Sequence, residues 1–88
     1  MSFKYDPAKA AANLKKHKVS FADAEGALED PLAITIGDPD SHGEERFITI
    51  GMGNAGELSV VVYTERNDGY RLISARRPTR KERRQYET

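Results

Sequence analysis

The residues of this chain that are best suited to chemistry are arginines, and they crowd its last nineteen positions, 70–88. Seven positive residues stand there against two glutamates: Arg71, Arg76, Arg77, Arg80, Lys81, Arg83 and Arg84 against Glu82 and Glu87. A planar guanidinium group makes paired, charge-assisted hydrogen bonds to phosphate oxygens. The segment therefore predicts a surface that binds the phosphates of nucleic acid, although such charges are also typical of a solvated helix face.

Cleavage of a phosphodiester needs a proton acceptor, a proton donor and positive charge around the reacting phosphorus. His17 and Glu65 are the candidate proton acceptors, and Arg66 and Arg76 are the candidate cations for the developing charge. Further contacts to nucleic acid are predicted for Arg77, Arg80, Arg84 and Tyr86. Structural roles are open for the same residues: a helix C-terminal cap for His17, a hairpin ion pair for Glu65 and Arg66, and ring packing for Tyr86.

No metal or cofactor is predicted. The loop at 37–43 starts like a calcium loop, with Asp38, Asp40, His42 and Gly43, but the position that needs a bidentate glutamate is Thr49. A polar hairpin loop is the better interpretation. The chain has no cysteine, which excludes disulfides and thiolate metal sites and fits a reducing compartment.

Charge is segregated along a chain whose net charge is zero. Residues 1–18 hold five lysines and one aspartate, whereas residues 19–69 hold eleven acids and two arginines. Both ends are basic and the middle is acidic. If the two ends meet in space, they would form a local positive groove on a neutral protein.

The elements that must position these residues can be read from caps and periodicity. Eighty-eight residues predict a single domain, 1–88, with a modest core. Asp6 and Pro7 start a helix over 8–16 with Ala10, Leu14 and His17 on one stripe, and Ser20 starts a second helix that Asp30-Pro31 ends. Period-two patterns predict four strands, at 32–36, 46–50, 58–64 and 70–76.

The fourth strand leads into the arginine segment. Alternation places Arg76 on the same strand face as Leu72 and Ser74. Pro78 breaks the strand, and Thr79 with Glu82 predicts a capping box for a final helix. The order α-α-β-β-β-β-α predicts an α+β fold, with an antiparallel four-stranded meander packed against helices.

Nothing in the sequence predicts contact with a membrane. Residues 1–6 lack the basic-then-apolar pattern of a signal peptide, and no apolar run approaches about 20 residues. The expectation is a soluble cytoplasmic protein.

Several motifs together resemble the BrnT toxin family. They are Phe3-Lys4-Tyr5-Asp6, Asn13-Leu14-x-Lys16-His17-x-Val19-Ser20-Phe21, Asp30-Pro31, Glu45-Arg46-Phe47-x-x-Ile50-Gly51 and Ser74-Ala75-Arg76-Arg77-x-Thr79-x-x-Glu82-Arg83-x-x-Tyr86-Glu87. The resemblance runs along nearly the whole chain, in order. It implies a RelE-like fold and a ribonuclease toxin of a type II toxin–antitoxin module.

The resemblance also implies partners. A small BrnA-like antitoxin would neutralise the toxin and carry the DNA-binding part, so that DNA is contacted only through the complex. The resemblance also implies a higher-order toxin–antitoxin assembly. One departure from the family pattern is Lys18, which stands where the family has glycine after the first helix. Lysine enters the left-handed conformation expected there at a cost of about 1 kcal/mol.

The combined interpretation is a metal-independent endoribonuclease that cleaves single-stranded RNA. Arg66, Arg76 and Arg80 would hold the scissile phosphate, and His17 or Glu65 would take the proton of the 2′-hydroxyl. Two alternatives stay open: a non-catalytic inhibitor related to RelE and ParE, or a degenerate toxin that only binds its antitoxin.

Overall fold

The computed structural model describes residues 3–41, 43–67 and 69–88. Three helices and five strands follow one another in these residues: β1 (Phe3–Lys4), α1 (Pro7–His17), α2 (Phe21–Glu29), β2 (Ile34–Gly37), β3 (Phe47–Met52), β4 (Leu58–Arg66), β5 (Gly69–Arg76) and α3 (Arg80–Glu87). The mixed α+β class that the sequence predicts is therefore confirmed.

The strands form one sheet in the order β1-β5-β4-β3-β2. Strands β2 to β5 pair antiparallel with their neighbours in the chain. The predicted count of four strands is wrong, because β1 adds a fifth strand that pairs parallel to β5 through Phe3–Tyr70 and Lys4–Arg71. Two residues are too few to show a period-two pattern, so the sequence gives no sign of this strand.

Each predicted helix start is present. Asp6 Oδ1 accepts a hydrogen bond from the Ala8 N–H at 2.9 Å, and Ser20 Oγ accepts one from the Asp23 N–H at 3.0 Å. At α3, Thr79 and Glu82 form the predicted capping box. These caps satisfy N–H groups that have no partner inside the helices and so fix where each helix begins.

The main core lies between the sheet and the first two helices. Phe21, Ala24 and Ala27 of α2 pack with a row of sheet residues on one face, Val61, Tyr63, Leu72 and Ala75. Contact is close enough that a Cβ added at Gly51 would come within 2.5 Å of the Ala27 carbonyl oxygen. We call this the core face of the sheet.

The opposite face carries a second, smaller buried group. Ile50, Val60 and Arg76 face one another across β3, β4 and β5, one row away from the core-face residues Val61 and Ala75. Ile50, Leu58 and Val60 are buried but belong to no part of the main core cluster. Since α3 contacts β3, this helix covers that part of the sheet, which we call the α3 face.

A β-bulge corrects one prediction about β5. Val62 pairs with Ser74 and Tyr63 pairs with Leu72, so Ile73 is an extra residue without a partner of its own. Leu72 therefore turns into the core, whereas Ser74 and Arg76 share the α3 face. Strict alternation places Leu72 with Arg76, and the extra residue is the reason that this placement is wrong.

Within the described residues, none of the helices is both long enough and apolar enough to span a bilayer.

Candidate functional site

Arg76 lies at the end of β5 and makes a bidentate ion pair with Glu82 in the first turn of α3. The Nη1–Oε1 and Nη2–Oε2 distances are 2.8 and 2.9 Å. Glu82 Oε1 also accepts the Thr79 N–H at 2.8 Å, so one carboxylate serves both the helix cap and the arginine. The hydrogen bond from Arg76 is the main cause that lowers the pKa of Glu82 to about 2, and the same bond raises the pKa of Arg76. Both groups are thus charged at neutral pH, and the pair holds the guanidinium beside α3.

The other end of α3 is fixed by Tyr86. Its hydroxyl donates to Asp30 Oδ2 at 2.6 Å, and the Met52 N–H donates to the same oxygen at 2.8 Å. The Leu32 N–H donates to Asp30 Oδ1. Burial alone would raise the pKa of Asp30, but these hydrogen bonds outweigh it and lower the pKa, while the bond to Asp30 raises the pKa of Tyr86. One carboxylate therefore joins the end of α2, β3 and α3.

All four cations of α3, Arg80, Lys81, Arg83 and Arg84, are exposed. Arg80 and Arg84 are four residues apart, so they lie on the same side of the helix, and both are exposed. Arg77 is different because it turns back onto β4, where its Nη1 donates to the Leu58 carbonyl at 3.1 Å. Of the four residues predicted to bind nucleic acid, Arg80 and Arg84 have the accessible guanidinium groups, whereas Arg77 and Tyr86 are engaged within the fold.

His17 is the last residue of α1 and lies against β5. It lines a shallow depression with Lys9, Asn13, Lys16, Ile73 and Ser74. Ser74 precedes Arg76 by two residues, which is about 7 Å along a strand. The structure therefore brings His17 to the same end of β5 as Arg76, from which α3 departs with Arg80.

Asn13 fixes this arrangement, and sequence reasoning missed it. Its side-chain amide donates to the Val19 and Ala75 carbonyls at 2.9 Å each, and its Oδ1 accepts the Ala75 N–H at 3.0 Å. The side chain thus pairs with the free edge of β5 much as a neighbouring strand would. Asn13 is only 7 % exposed, whereas Leu14 is 49 % exposed. Asn13 rather than Leu14 is the buried residue of this turn, because an amide can pair with an open strand edge and a leucine cannot.

Glu65 and Arg66 lie elsewhere. They pair with Tyr70 and Gly69 at the opposite end of the β4–β5 hairpin. Arg76 is the sixth residue after Tyr70 on β5, about 20 Å along the strand. Arg66 is itself in an ion pair with Glu44, with an Nε–Oε2 distance of 2.8 Å. The structure therefore separates these two residues from His17 and Arg76.

The acidic loop before β3 is occupied by its own contacts. Asp38 Oδ2 lies 3.3 Å from Arg46 Nη2, and Asp38 Oδ1 accepts the Asp40 N–H. His42 lies outside the described residues. Among the residues that are described, no three His, Cys, Asp or Glu side chains are grouped so that they could hold a metal ion.

Comparison with known families shows the family to which the chain belongs. A family model described as the ribonuclease toxin BrnT of type II toxin–antitoxin systems matches residues 5–82. The chain belongs to the BrnT family. No curated protein sequence matches it. As a BrnT-family member it is a ribonuclease toxin of a type II system, and such a system includes an antitoxin partner.

The matched region covers the site unevenly. It contains His17, Arg76 and Arg80 and reaches Glu82, the partner of Arg76. Arg84 and Tyr86 lie beyond it. The region matched by the family model therefore ends in the first turn of α3, after the end of β5.

Proposed function

We propose that this BrnT-family toxin cleaves single-stranded RNA without a metal ion, with His17, Arg76 and Arg80 acting at the end of β5 from which α3 departs. The observation that carries the proposal is that His17 and Ser74 line one depression, and that Ser74 lies two residues along β5 from an arginine that Glu82 holds in a fixed orientation. A base and a fixed cation close to one another are what phosphoryl cleavage requires.

In this mechanism the exposed arginines bind the RNA backbone. Arg80 and Arg84 hold phosphates on the outer side of α3. Arg76 keeps about 40 % of its side chain exposed, so that it can face the scissile phosphate while Glu82 orients it. Guanidinium groups fixed in advance stabilise the charge that develops on the phosphoryl oxygens.

His17 takes the proton of the 2′-hydroxyl. The 2′-oxygen attacks phosphorus, the bond from phosphorus to the 5′-oxygen breaks, and the 5′-oxygen receives a proton as it leaves. The products are a 2′,3′-cyclic phosphate and a 5′-hydroxyl. Glu65 and Arg66 are the alternative base and cation, and they would define a second location, in a depression that they line together with Lys4, Tyr70 and Arg71.

The antitoxin in this proposal is BrnA-like and supplies the DNA contacts of the complex, in a RelE-like architecture that can build larger toxin–antitoxin assemblies. It blocks the arginines by covering them or by inserting carboxylates among them. Association through charges at the rim should be faster at low salt than at high salt.

Chelation is the direct test of metal independence. Purified toxin, freed from antitoxin, is incubated with single-stranded RNA in EDTA, and fragments are resolved on a gel. Cleavage should continue in EDTA and yield cyclic phosphate ends. Loss of cleavage in EDTA that magnesium restores would contradict the metal-free mechanism. Absence of cleavage in both conditions would favour a non-catalytic binding protein.

A further inference from the structure

An apolar patch lies beside α3 at the edge of the sheet. Among the described residues, four large hydrophobic side chains are exposed, and three of them lie on β2, on β3 and in the turn before β2: Leu32 at 72 %, Ile36 at 57 % and Met52 at 37 %. Leu32 and Met52 are close neighbours, since their backbone N–H groups bind the two oxygens of Asp30. Ile48 pairs with Ile36 across β2 and β3 and extends the surface. We call Leu32, Ile36, Ile48 and Met52 the β2 patch.

The patch has two features of an interaction surface. Strand β2 is the last strand of the sheet, so one of its edges has no neighbouring strand in the described fold. Exposed apolar side chains beside an open edge usually mark a place where another chain binds. One exposed cation, Arg83, also lies near the patch. Arg83 is exposed and lies three residues before Tyr86, whose hydroxyl binds the same Asp30 as Leu32 and Met52.

We infer that the β2 patch is the docking surface of the antitoxin, which inserts aliphatic side chains between Ile36 and Met52 and places a carboxylate on Arg83. This inference rests on the proposed function for the antitoxin's blocking role, because the patch adjoins the helix that carries Arg80 and Arg84. A partner bound here reaches these arginines from the side without replacing any contact that holds α3.

Other occupants fit less well. RNA bases stack on aromatic or guanidinium planes, and the patch consists of aliphatic and thioether side chains. A second copy of this chain would bring the same patch to the interface, and a toxin homodimer is the result that would reveal this occupant. A partner with aliphatic and acidic residues satisfies both features.

The test measures antitoxin affinity for the full-length toxin, with the antitoxin encoded beside the toxin gene as the probe. Ile36→Glu and Arg83→Glu should each weaken binding at least about 30-fold, as expected for central interface residues. Leu14→Glu is the matched control, since Leu14 is 49 % exposed but lies on α1, and it should bind like the wild type. Thermal unfolding verifies that each variant is folded, and Leu32→Glu replaces Ile36→Glu should the latter not fold.

Activity separates this inference from the proposed function. Ile36→Glu should still cleave RNA and should no longer be inhibited by antitoxin at concentrations that silence the wild type. Wild-type affinity in Ile36→Glu, or equal weakening in Leu14→Glu, would overturn the docking surface. So would a toxin homodimer that Ile36→Glu dissociates, or loss of RNA binding with antitoxin affinity unchanged. A wild-type toxin that cleaves no RNA would refute the proposed function alone, because the affinity measurements do not depend on cleavage.

Discussion

At the scale of single residues, the ion pair of Arg76 and Glu82 is the most informative contact. The sequence predicts the capping role of Glu82 from its spacing to Thr79, and it predicts Arg76 as a cation at a strand end. It does not predict that the two side chains bind each other, since that depends on the angle at which α3 leaves β5. The same glutamate thus stabilises a helix and orients an arginine.

This pair should be visible in the acid stability of the protein. The pKa of Glu82 is lowered to about 2 in the folded protein from an ordinary value of 4.5. A lowered folded-state pKa stabilises above the unfolded value, so its contribution is complete above pH 4.5 and is lost as pH falls towards 2. We expect Glu82→Gln to lower the free energy of unfolding at neutral pH by about 1 kcal/mol, because partial exposure screens the pair.

Urea denaturation at a series of pH values measures this effect. Between pH 4.5 and 2 the stability of Glu82→Gln should fall less steeply than that of the wild type. Glu87→Gln, in the same helix but without a contact to Arg76, is the control and should follow the wild type. Parallel acid profiles for Glu82→Gln and the wild type would show that the pair contributes nothing to stability.

The backbone conformation of Lys18 could be predicted from the sequence. The departure from the family's glycine predicts a left-handed residue after α1, and the structure has Lys18 at φ 62° as the C-cap, with its N–H bound to the Leu14 carbonyl. Lysine therefore adopts the conformation that glycine adopts more easily. His17 keeps its place at the helix end in spite of this strain.

At the scale of elements, α1 is held to the sheet by Asn13. Its three hydrogen bonds join the helix, the segment before α2 and the edge of β5. Because the groups that it pairs are buried, Asn13→Ala leaves backbone N–H and C=O groups without partners. We expect the free energy of unfolding to fall by about 2–4 kcal/mol.

Equilibrium unfolding in urea checks this value. Asn54→Ala is a suitable control, because its amide makes one exposed hydrogen bond, to the Ala22 carbonyl, and its loss should cost about 1 kcal/mol or less. Equal losses for the two variants would contradict the special role of Asn13.

Helix α3 is attached to the sheet in another way. None of its own residues is buried, yet it contacts β3, the strand that carries the buried Ile50. Polar contacts at its two ends, Glu82 to Arg76 and Tyr86 to Asp30, hold it there. A hydrophobic pattern cannot predict such docking, which is why the sequence indicates the helix but not the surface that it covers.

At the scale of the whole molecule, sequence patterns between neighbouring residues predict most helices and strands. Contacts between residues far apart in the chain determine where the candidate site residues lie. Caps at Asp6, Ser20 and Thr79 place the helices, because each involves residues two or three apart in the chain. Strand β1 and the Asn13–Ala75 hydrogen bonds join residues that are far apart in the chain. The bulge at Ile73 interrupts the period-two pattern of β5. The grouping of His17 with Arg76, away from Glu65, follows from these long-range contacts.

This separation makes the location of the active site testable. His17 and Arg76 lie at one end of β5, and Glu65 and Arg66 lie at the other end, about 20 Å away. One centre of cleavage cannot use both pairs.

If the centre is at the end where α3 begins, His17→Ala and Arg76→Ala should each reduce RNA cleavage about 100-fold or more, since each removes a base or a charge that acts in the transition state. Glu65→Gln and Arg66→Ala are then the matched pair, and their cleavage rates should stay close to that of the wild type. Single-turnover cleavage of a defined RNA, at a temperature where unfolding curves show every variant to be folded, gives the rates. The reverse pattern, with activity lost in Glu65→Gln and Arg66→Ala but kept in His17→Ala and Arg76→Ala, would move the active site to the β4–β5 hairpin and would assign the Arg76–Glu82 pair to the positioning of α3.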